Sequence, residues 1–344
     1  MTIACLTHPS FTEHDFPRHP EHAGRIQAVW SALQAAGLAD QLLQLAPAPA
    51  TDEEILAVHS ATHLQRLVYI SQMDRMVLID QDTYALPGSL DVSRLAAGAM
   101  VGAVDAVCAG DADNAMAVVR PPGHHATANR QMGFCLLNNV AIGARHALTK
   151  HQLKRVMILD YDVHHGNGTQ DIFYGDPSVL FLSIHQSPHY PGTGSLDEVG
   201  ESEGKGTTIN VPLAAGHGDQ SYQRIFEQIV IPATERFRPE LMLISVGFDA
   251  HWADPLAGMR LSLGGYDWLA RACLKLAKQV CAGKIVFLME GGYDLKALSH
   301  GWCNIARALL DSHELSDPYG TATEGASARD FQNLIDRVRV IHGI

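Results

Sequence analysis

Short apolar runs recur along the 344-residue chain, and most are separated by a longer Ala- and Leu-rich stretch with helical spacing. The runs lie at residues 3–6, 115–119, 156–159, 179–184, 208–211, 241–246 and 285–289. The helical stretches lie at 24–36, 89–108, 139–148, 219–237 and 265–281. A strand that is apolar on both sides must be covered on both sides, and a helix between two strands lets them run parallel. The alternation therefore predicts an α/β chain built on a mainly parallel sheet with helices on both faces.

No Pro-, Ser- or Gly-rich linker and no block of charge divides the chain, so one domain is expected over 1–344. Formal charge is −12 at pH 7, and no Lys/Arg-rich run offsets it, which argues against a surface that tracks nucleic-acid phosphates. Six cysteines, at 5, 108, 135, 273, 281 and 303, are scattered without a C-x-x-C and sit mostly in apolar segments. That pattern suits reduced core residues and a cytosolic compartment better than disulfides or a thiolate metal site. The first ten residues lack a basic region followed by a long apolar stretch, and no uninterrupted apolar run approaches spanning length. Neither secretion nor membrane insertion is expected, and the sequence leaves a homo-oligomer open.

The residues directly after the runs are more specific. Arg120-Pro-Pro-Gly-His-His comes after the second, Asp160-Tyr-Asp-Val-His-His after the third, His185 after the fourth, Gly247-Phe-Asp after the sixth and Glu290-Gly-Gly-Tyr after the last. Ligands of open α/β sheets bind outside the carboxyl ends of the strands. Five strand ends would thus deliver His, Asp and Tyr to one crevice.

A buried strand that ends in two carboxylates and two imidazoles needs a compensating partner, and a metal ion is the simplest. A polar loop capping the next helix accounts for one Asp or one Asn, hardly for 160–168 as a whole. Side chains alternate along extended chain, so Asp160, Asp162 and His164 would share a face. Asp249, arriving from another strand, can add a third ligand to Asp162 and His164. Three protein ligands with an open position fit catalytic zinc, while mixed Asp and His donors also admit iron or manganese. An isolated His is more often a satisfied core or surface residue, but the doublet His124-His125 beside a second pair points to proton transfer. Tyr293 alone would pass for core packing; after Glu290-Gly291-Gly292 it can offer a phenol to a developing oxyanion.

Together Pro121-Pro122-Gly123-His124-His125, Gly133-Phe134-Cys135, Asp160-x-Asp162-x-His164-His165-Gly166-Asn167-Gly168, Gly247-Phe248-Asp249-Ala250-His251 and Glu290-Gly291-Gly292-Tyr293 resemble the zinc-dependent histone deacetylase family. The likeness runs from about His19 to about Leu310 in the family's order, leaving 311–344 as an expected helical tail. Its size is similar to that of bacterial members, which include histone-deacetylase-like amidohydrolases and acetylpolyamine amidohydrolases. The resemblance implies a single-domain arginase/deacetylase fold, with a parallel eight-stranded sheet between helical layers.

Residue by residue, the resemblance makes Asp162, His164 and Asp249 the ligands of one zinc ion, and His124 and His125 the paired imidazoles. Tyr293 becomes the oxyanion donor. Asp160 would orient His124 and also help hold a structural potassium ion with Asp162, His164, Ser183 and Ile184. A second potassium site is implied near Phe173, Asp176 and Val179. Arg25 matches an arginine beside the inner cavity through which the released acid departs. Asn167 stands where one branch of the family has Asp, which places the chain with the class II-like branch. A neutral amide orients the His125 ring without stabilising its protonated form as a carboxylate would.

Gly133, Phe134 and Tyr190 correspond to walls of an apolar tunnel and Leu256 to a gate position, with Gly292 among the substrate-binding residues and Asp82 or Thr83 at the rim. The implied reaction is metal-assisted hydrolysis of an acyl amide, with His125 moving the proton to the leaving amine. N-ε-acetyl-lysine in a peptide or protein is the favoured substrate, because Leu256 offers no gate carboxylate for a second cation. Small acetylated amines, including polyamines, are the alternative. An arginase-like dinuclear hydrolase would need a further set of carboxylate ligands, and a silent acyl-lysine binding module would lack one of the chemical residues.

Overall fold

The computed structural model describes residues 1–325 and 328–344. Its strands are β1 (Ile3–Leu6), β2 (Leu43–Leu45), β3 (Val77–Leu78), β4 (Tyr84–Ala85), β5 (Asn114–Ala117), β6 (Val156–Asp160), β7 (Val179–Gln186), β8 (Thr208–Leu213), β9 (Leu241–Val246) and β10 (Ile285–Met289). Eight of them make one parallel sheet in the order β2-β1-β5-β10-β9-β6-β7-β8, and β3 and β4 pair as a short antiparallel ribbon. The five strands whose ends carry the polar motifs are neighbours at the centre: β5, β10, β9, β6 and β7. Asp160 pairs in register with Ser183 on one side and Ser245 on the other, so β6, β7 and β9 turn polar at one level.

Every residue of β6, β7, β9 and β10 is buried, as two covered faces require. The helix Ser89–Ala109 packs along β1, β5 and β10 and against the helix Asn139–Thr149. By length and composition alone this helix could cross a membrane, with mean hydropathy 1.5, but 67% of its apolar window is buried inside the protein. Its apolarity is that of a core helix. Gly110, at φ 83°, ends it in the left-handed conformation that glycine adopts freely. Asn138, Ser262 and Asp294 cap the helices Asn139–Thr149, Leu263–Val280 and Leu295–Leu309, each accepting from a backbone N–H three residues on.

Several expectations need correction. The edge strand β2 was not expected, because Leu43–Leu45 is mostly exposed and lacks a long apolar run. Helices Asp52–Leu56, Ala61–Ser71, Asn167–Phe173 and Leu295–Leu309 were not expected either. The stretch expected as one helix over 219–237 is α-helical at Asp219–Ile225 and Ile231–Phe237 but π-helical at Phe226–Val230, where Ile231 N–H bonds to Phe226 O. Pro232 follows at once and has no N–H to continue an ordinary helical ladder, which accounts for the wider turn. In the tail only Ala328–His342 is helical among the described residues; Phe331, Ile335 and Val338 bury that helix against β8 and the π-turn.

Arg25 and Arg120 meet in a fully buried ionic group around Glu21, a residue that no sequence motif singles out. Glu21 accepts from Arg120 Nε at 2.5 Å and Nη2 at 2.7 Å, and from Arg25 Nη1 at 3.1 Å. Arg120 also donates to Phe11 O and His14 O, so the guanidinium ties the N-terminal loops to the start of the histidine loop. Burial alone would raise the Glu21 pKa, but the two arginines outweigh it and hold it at about 2. A carboxylate whose folded pKa lies below its ordinary value of 4.5 stabilises the fold fully above that value. The contribution is lost as pH falls from about 4.5 towards about 2. Glu21→Gln strands two buried guanidinium charges and is expected to lower unfolding free energy by about 3–5 kcal/mol. Urea melts at pH 7 check this; a loss below about 1 kcal/mol would show the group to be dispensable.

Candidate active site

Asp162, His164 and Asp249 present ligand atoms that all lie within 4.8 Å of one another. His164 Nδ1 stands 3.1 Å from Asp162 Oδ1 and 3.2 Å from Asp249 Oδ2. The other carboxylate oxygens are held by backbone: Asp162 Oδ2 accepts from Gly291 N–H and Asp249 Oδ1 from Val163 N–H. Asp249 Oδ2 is buried without a hydrogen-bond partner. A Cβ on Gly247 would come within 2.1 Å of Asp162 Oδ2, and one on Gly291 within 2.1 Å of Asp249 Oδ2. Two glycines therefore let backbone close around a nest of oxygens that is negative and dry.

This nest fits a divalent ion. The orphaned oxygen, the absent side chains and the Asp2His donor set all match a three-ligand site with positions left for water and substrate. Burial opposes charge on His164, yet the two flanking carboxylates raise its pKa to about 10. A cation is thus favoured between the nitrogen and the oxygens, whether proton or metal.

The route by which these groups meet differs from strand alternation. β6 stops at Asp160, and residues 161–166 leave the extended conformation. Asp160 Oδ1 instead accepts from Asp162 N–H at 3.1 Å, and Asp162 Oδ1 from His164 N–H at 2.9 Å. Two successive turns of this Asx type place the three side chains. Asp160 lies outside the metal-binding trio.

Both imidazoles of the doublet reach the site, in different states. His124 Nδ1 lies 3.0 Å from Asp160 Oδ2, and His124 Nε2 lies 3.9 Å from Asp162 Oδ1. Burial disfavours its charge, but Asp160 and Asp162 prevail and raise its pKa to about 10. His125 is pushed well below the ordinary range by burial and by the neighbouring His124 and His164. Asn167 Nδ2 faces Met132 Sδ, so its Oδ1 accepts from His125 Nδ1–H at 2.8 Å. That leaves Nε2 of a neutral ring as a free base.

Tyr293 stands on the loop after β10. Its N–H and that of Asp294 donate to Asp254 Oδ2, while Arg25 donates to Glu290 O and Gly292 O beneath it. The Arg25 guanidinium lies 4.9 Å from the Tyr293 ring centre. Burial and nearby carboxylates keep the phenol protonated.

A pocket of about 250 Å³ opens over these groups, bounded by His125, His164 and Tyr293 at its base. Gly133, Phe134, Tyr190, Leu256 and Asp82 line it as expected. Gly133 has φ 57°, and a Cβ there would strike the His125 ring at 2.4 Å. Gly292 is not in the wall, being buried behind Tyr293. Thr83 is buried too: its hydroxyl accepts from Phe134 N–H and so braces the wall instead of the rim. His185 does not enter the crevice, because its ring nitrogens meet Ser183 Oγ and Gly194 O. β7 contributes instead through the loop beyond it, whose His189 and Tyr190 line the pocket.

Three contributors went unrecognised in the sequence. Glu290 Oε2 accepts from Gly123 N–H and His124 N–H, positioning the doublet from β10. Asp254 holds the Tyr293 loop. His189 lines the pocket, stacked on His164 with ring centres 5.0 Å apart. Each acts through contacts between segments distant in the chain or within a loop, and only a carboxylate or imidazole at a strand-end loop could have drawn attention to them.

A neutral histidine and a phenol set near a carboxylate–imidazole nest are groups suited to hydrolysis assisted by a metal ion. The same lineage emerges from comparison with known proteins. A family model described as "Histone deacetylase domain" matches residues 19–309. Histone deacetylase 14, chloroplastic, of Arabidopsis thaliana is 40% identical, covering 96% of this chain and 82% of the plant protein. The histone deacetylase-like amidohydrolase of Pseudomonas aeruginosa is 38% identical over 91% of this chain and 84% of its own length. The solved HDA15 HD domain superimposes with a TM-score of 0.90 at 33% identity, covering 99% of this chain and 94% of that one. The chain belongs to the histone deacetylase family, within the arginase/deacetylase superfamily, and its function is that of a deacetylase-type hydrolase.

Proposed function

We propose that the protein is a zinc-dependent amidohydrolase that removes acetyl groups from N-ε-acetyl-lysine side chains. The observation that carries this reading is the pocket walled by Phe134, Tyr190 and Leu256, whose lining also holds His125, Tyr293 and His164, the last grouped with the Asp162 and Asp249 carboxylates. An alkyl stem fits between such walls, and its acyl amide would meet the chemical groups at the base.

Zinc held by those donors would polarise the acyl carbonyl and make a water molecule acidic. His125 Nε2 accepts the proton of the attacking water and returns it to the leaving amine. Asn167 keeps the His125 ring oriented. His124, charged through its contact with Asp160, stabilises negative charge nearby. The Tyr293 hydroxyl donates to the oxyanion as the carbonyl becomes tetrahedral. Arg25 supports the Tyr293 loop, and the family likeness sets it beside the route by which acetate would depart. Potassium bound by Asp160, Asp162, His164, Ser183 and Ile184 would stiffen the ends of β6 and β7. Around the second implied site, the Asp176 carboxylate already pairs with Arg145 and Ser178. Six unpaired cysteines, five of them buried, support a reducing, cytosolic setting.

Acetylpolyamines remain the competing substrate class on one specific ground. Leu256 supplies no charge, but Asp82 places a half-buried carboxylate on the same pocket, where it could meet a distal ammonium. The test compares kcat/KM for an acetyl-lysine peptide with N-acetylputrescine, N-acetylcadaverine and N8-acetylspermidine. A hundredfold preference for any of the amines would overturn the lysine assignment.

Tyr293→Phe removes one donor and nothing else of size. Turnover is expected to fall on the order of 10²- to 10³-fold with metal content unchanged. Near wild-type turnover would remove the phenol from the chemistry.

A further inference from the structure

Outside the pocket, a second group of metal-ligating side chains gathers where the helices Ser89–Ala109 and Asn139–Thr149 meet. Asp105 projects from the first helix, His146 from the last turn of the second, and His151 from the segment just beyond. His146 Nε2 lies 2.8 Å from Asp105 Oδ1 and His151 Nε2 lies 2.6 Å from the same oxygen. Leu153 N–H bonds back to Ala147 O, which holds the chain carrying His151 against the end of the helix. Every donor is partly covered, with side-chain exposures of 10% for His146, 21% for His151 and 48% for Asp105.

A fourth residue determines how His146 can be used. Glu54 Oε1 stands 3.4 Å from His146 Nδ1. Glu54 does not wander, because its Oε2 accepts from Thr51 N–H and Thr51 Oγ1–H in the capping box of the helix Asp52–Leu56. A neutral imidazole has one N–H, so between two carboxylates one contact must set lone pair against lone pair. A cation beside Asp105 removes that conflict. Nδ1–H then points to Glu54 and Nε2 is free to ligate, the arrangement in which a carboxylate orients a metal-bound histidine.

We propose that Asp105, His146 and His151 form a second divalent-metal site, independent of the catalytic one, with Glu54 orienting His146. Two imidazoles and one carboxylate suit zinc, or another first-row transition ion, better than magnesium or calcium, which take oxygen donors. Tetrahedral zinc separates its donors by about 3.3 Å, so Asp105 must draw back roughly 0.5 Å from the nitrogens, and its half-exposed side chain has room to do so. Water completes the coordination from the solvent side. An ion there clips two core helices to the segment that leads into β6.

The experiment counts zinc. Chelator-stripped protein is dialysed against Zn2+, and bound metal is measured per chain. Wild type is expected to hold two ions. The His146→Gln/His151→Gln variant should hold one and retain full deacetylase turnover, while Asp249→Ala should hold one and lose turnover. The combination should hold none. Asp105→Asn, a milder change on a half-exposed side chain, is expected to weaken the second site roughly tenfold or more without unfolding the protein. One ion in wild type, or equal zinc binding in wild type and both second-site variants, would reduce the cluster to an ordinary ion pair and overturn the proposal.

Discussion

Asp249→Ala is expected to abolish both divalent-ion binding at the catalytic nest and hydrolytic turnover. Asp249 arrives from β9, and its Oδ2 is the one buried carboxylate oxygen of the trio without a hydrogen-bond donor. Removing it leaves Asp162 and His164, a two-donor site that exchanges its ion readily. It also takes away the acceptor of Val163 N–H, which lies on the loop presenting those donors. Asp249→Asn is the companion variant, since it keeps that acceptor and the volume while losing the charge. Metal analysis and turnover on an acetyl-lysine amide are measured together. If Asp249→Ala retains wild-type zinc at this nest, Asp249 is no ligand. Loss of metal with turnover preserved would sink the metal-assisted mechanism itself.

The second large effect is at His125. His125→Ala is expected to lower kcat about 10²- to 10⁴-fold, the range for loss of a positioned general base, while leaving metal content unchanged. The difference from His124 arises from their partners. His124 faces the Asp160 and Asp162 carboxylates and is held charged, so it has no free lone pair to accept a proton. His125 faces a neutral amide and two neighbouring imidazoles, and remains a base. His124→Ala should therefore be the milder of the two. A larger loss for His124→Ala than for His125→Ala would reverse the assignment.

Much of this molecule is legible in the chain because its central strands leave little freedom. Runs such as Leu241–Val246 and Ile285–Met289 are apolar on both sides, and such strands are stable only under helices on both faces. Their ends could be read for the same reason. A carboxylate or imidazole directly after a buried strand must have a partner, and Asp162, His164, Asp249, His124 and His125 do converge. β2 was illegible because an edge strand only three residues long, mostly exposed, carries no period to detect. His185 misled because being next to a strand end does not settle which way a ring turns, and Gly194 O holds it away from the pocket.

The sequence by itself determined the α/β class, the parallel sheet, the end of the sheet that carries chemistry and the residue types delivered there. These come from periodicity and the cost of burying polar groups, which act over a few neighbouring residues. Tertiary structure alone decided how Asp160, Asp162 and His164 are aimed, since two local turns and not strand parity place them. It alone brought Glu290 under Gly123, Asp254 under Tyr293 and Glu21 between Arg25 and Arg120. The state of each histidine was decided there too. A pKa is set by charges and burial within a few ångströms, and the chain order of residues 124, 125 and 164 holds no record of which carboxylate or amide will stand beside each ring.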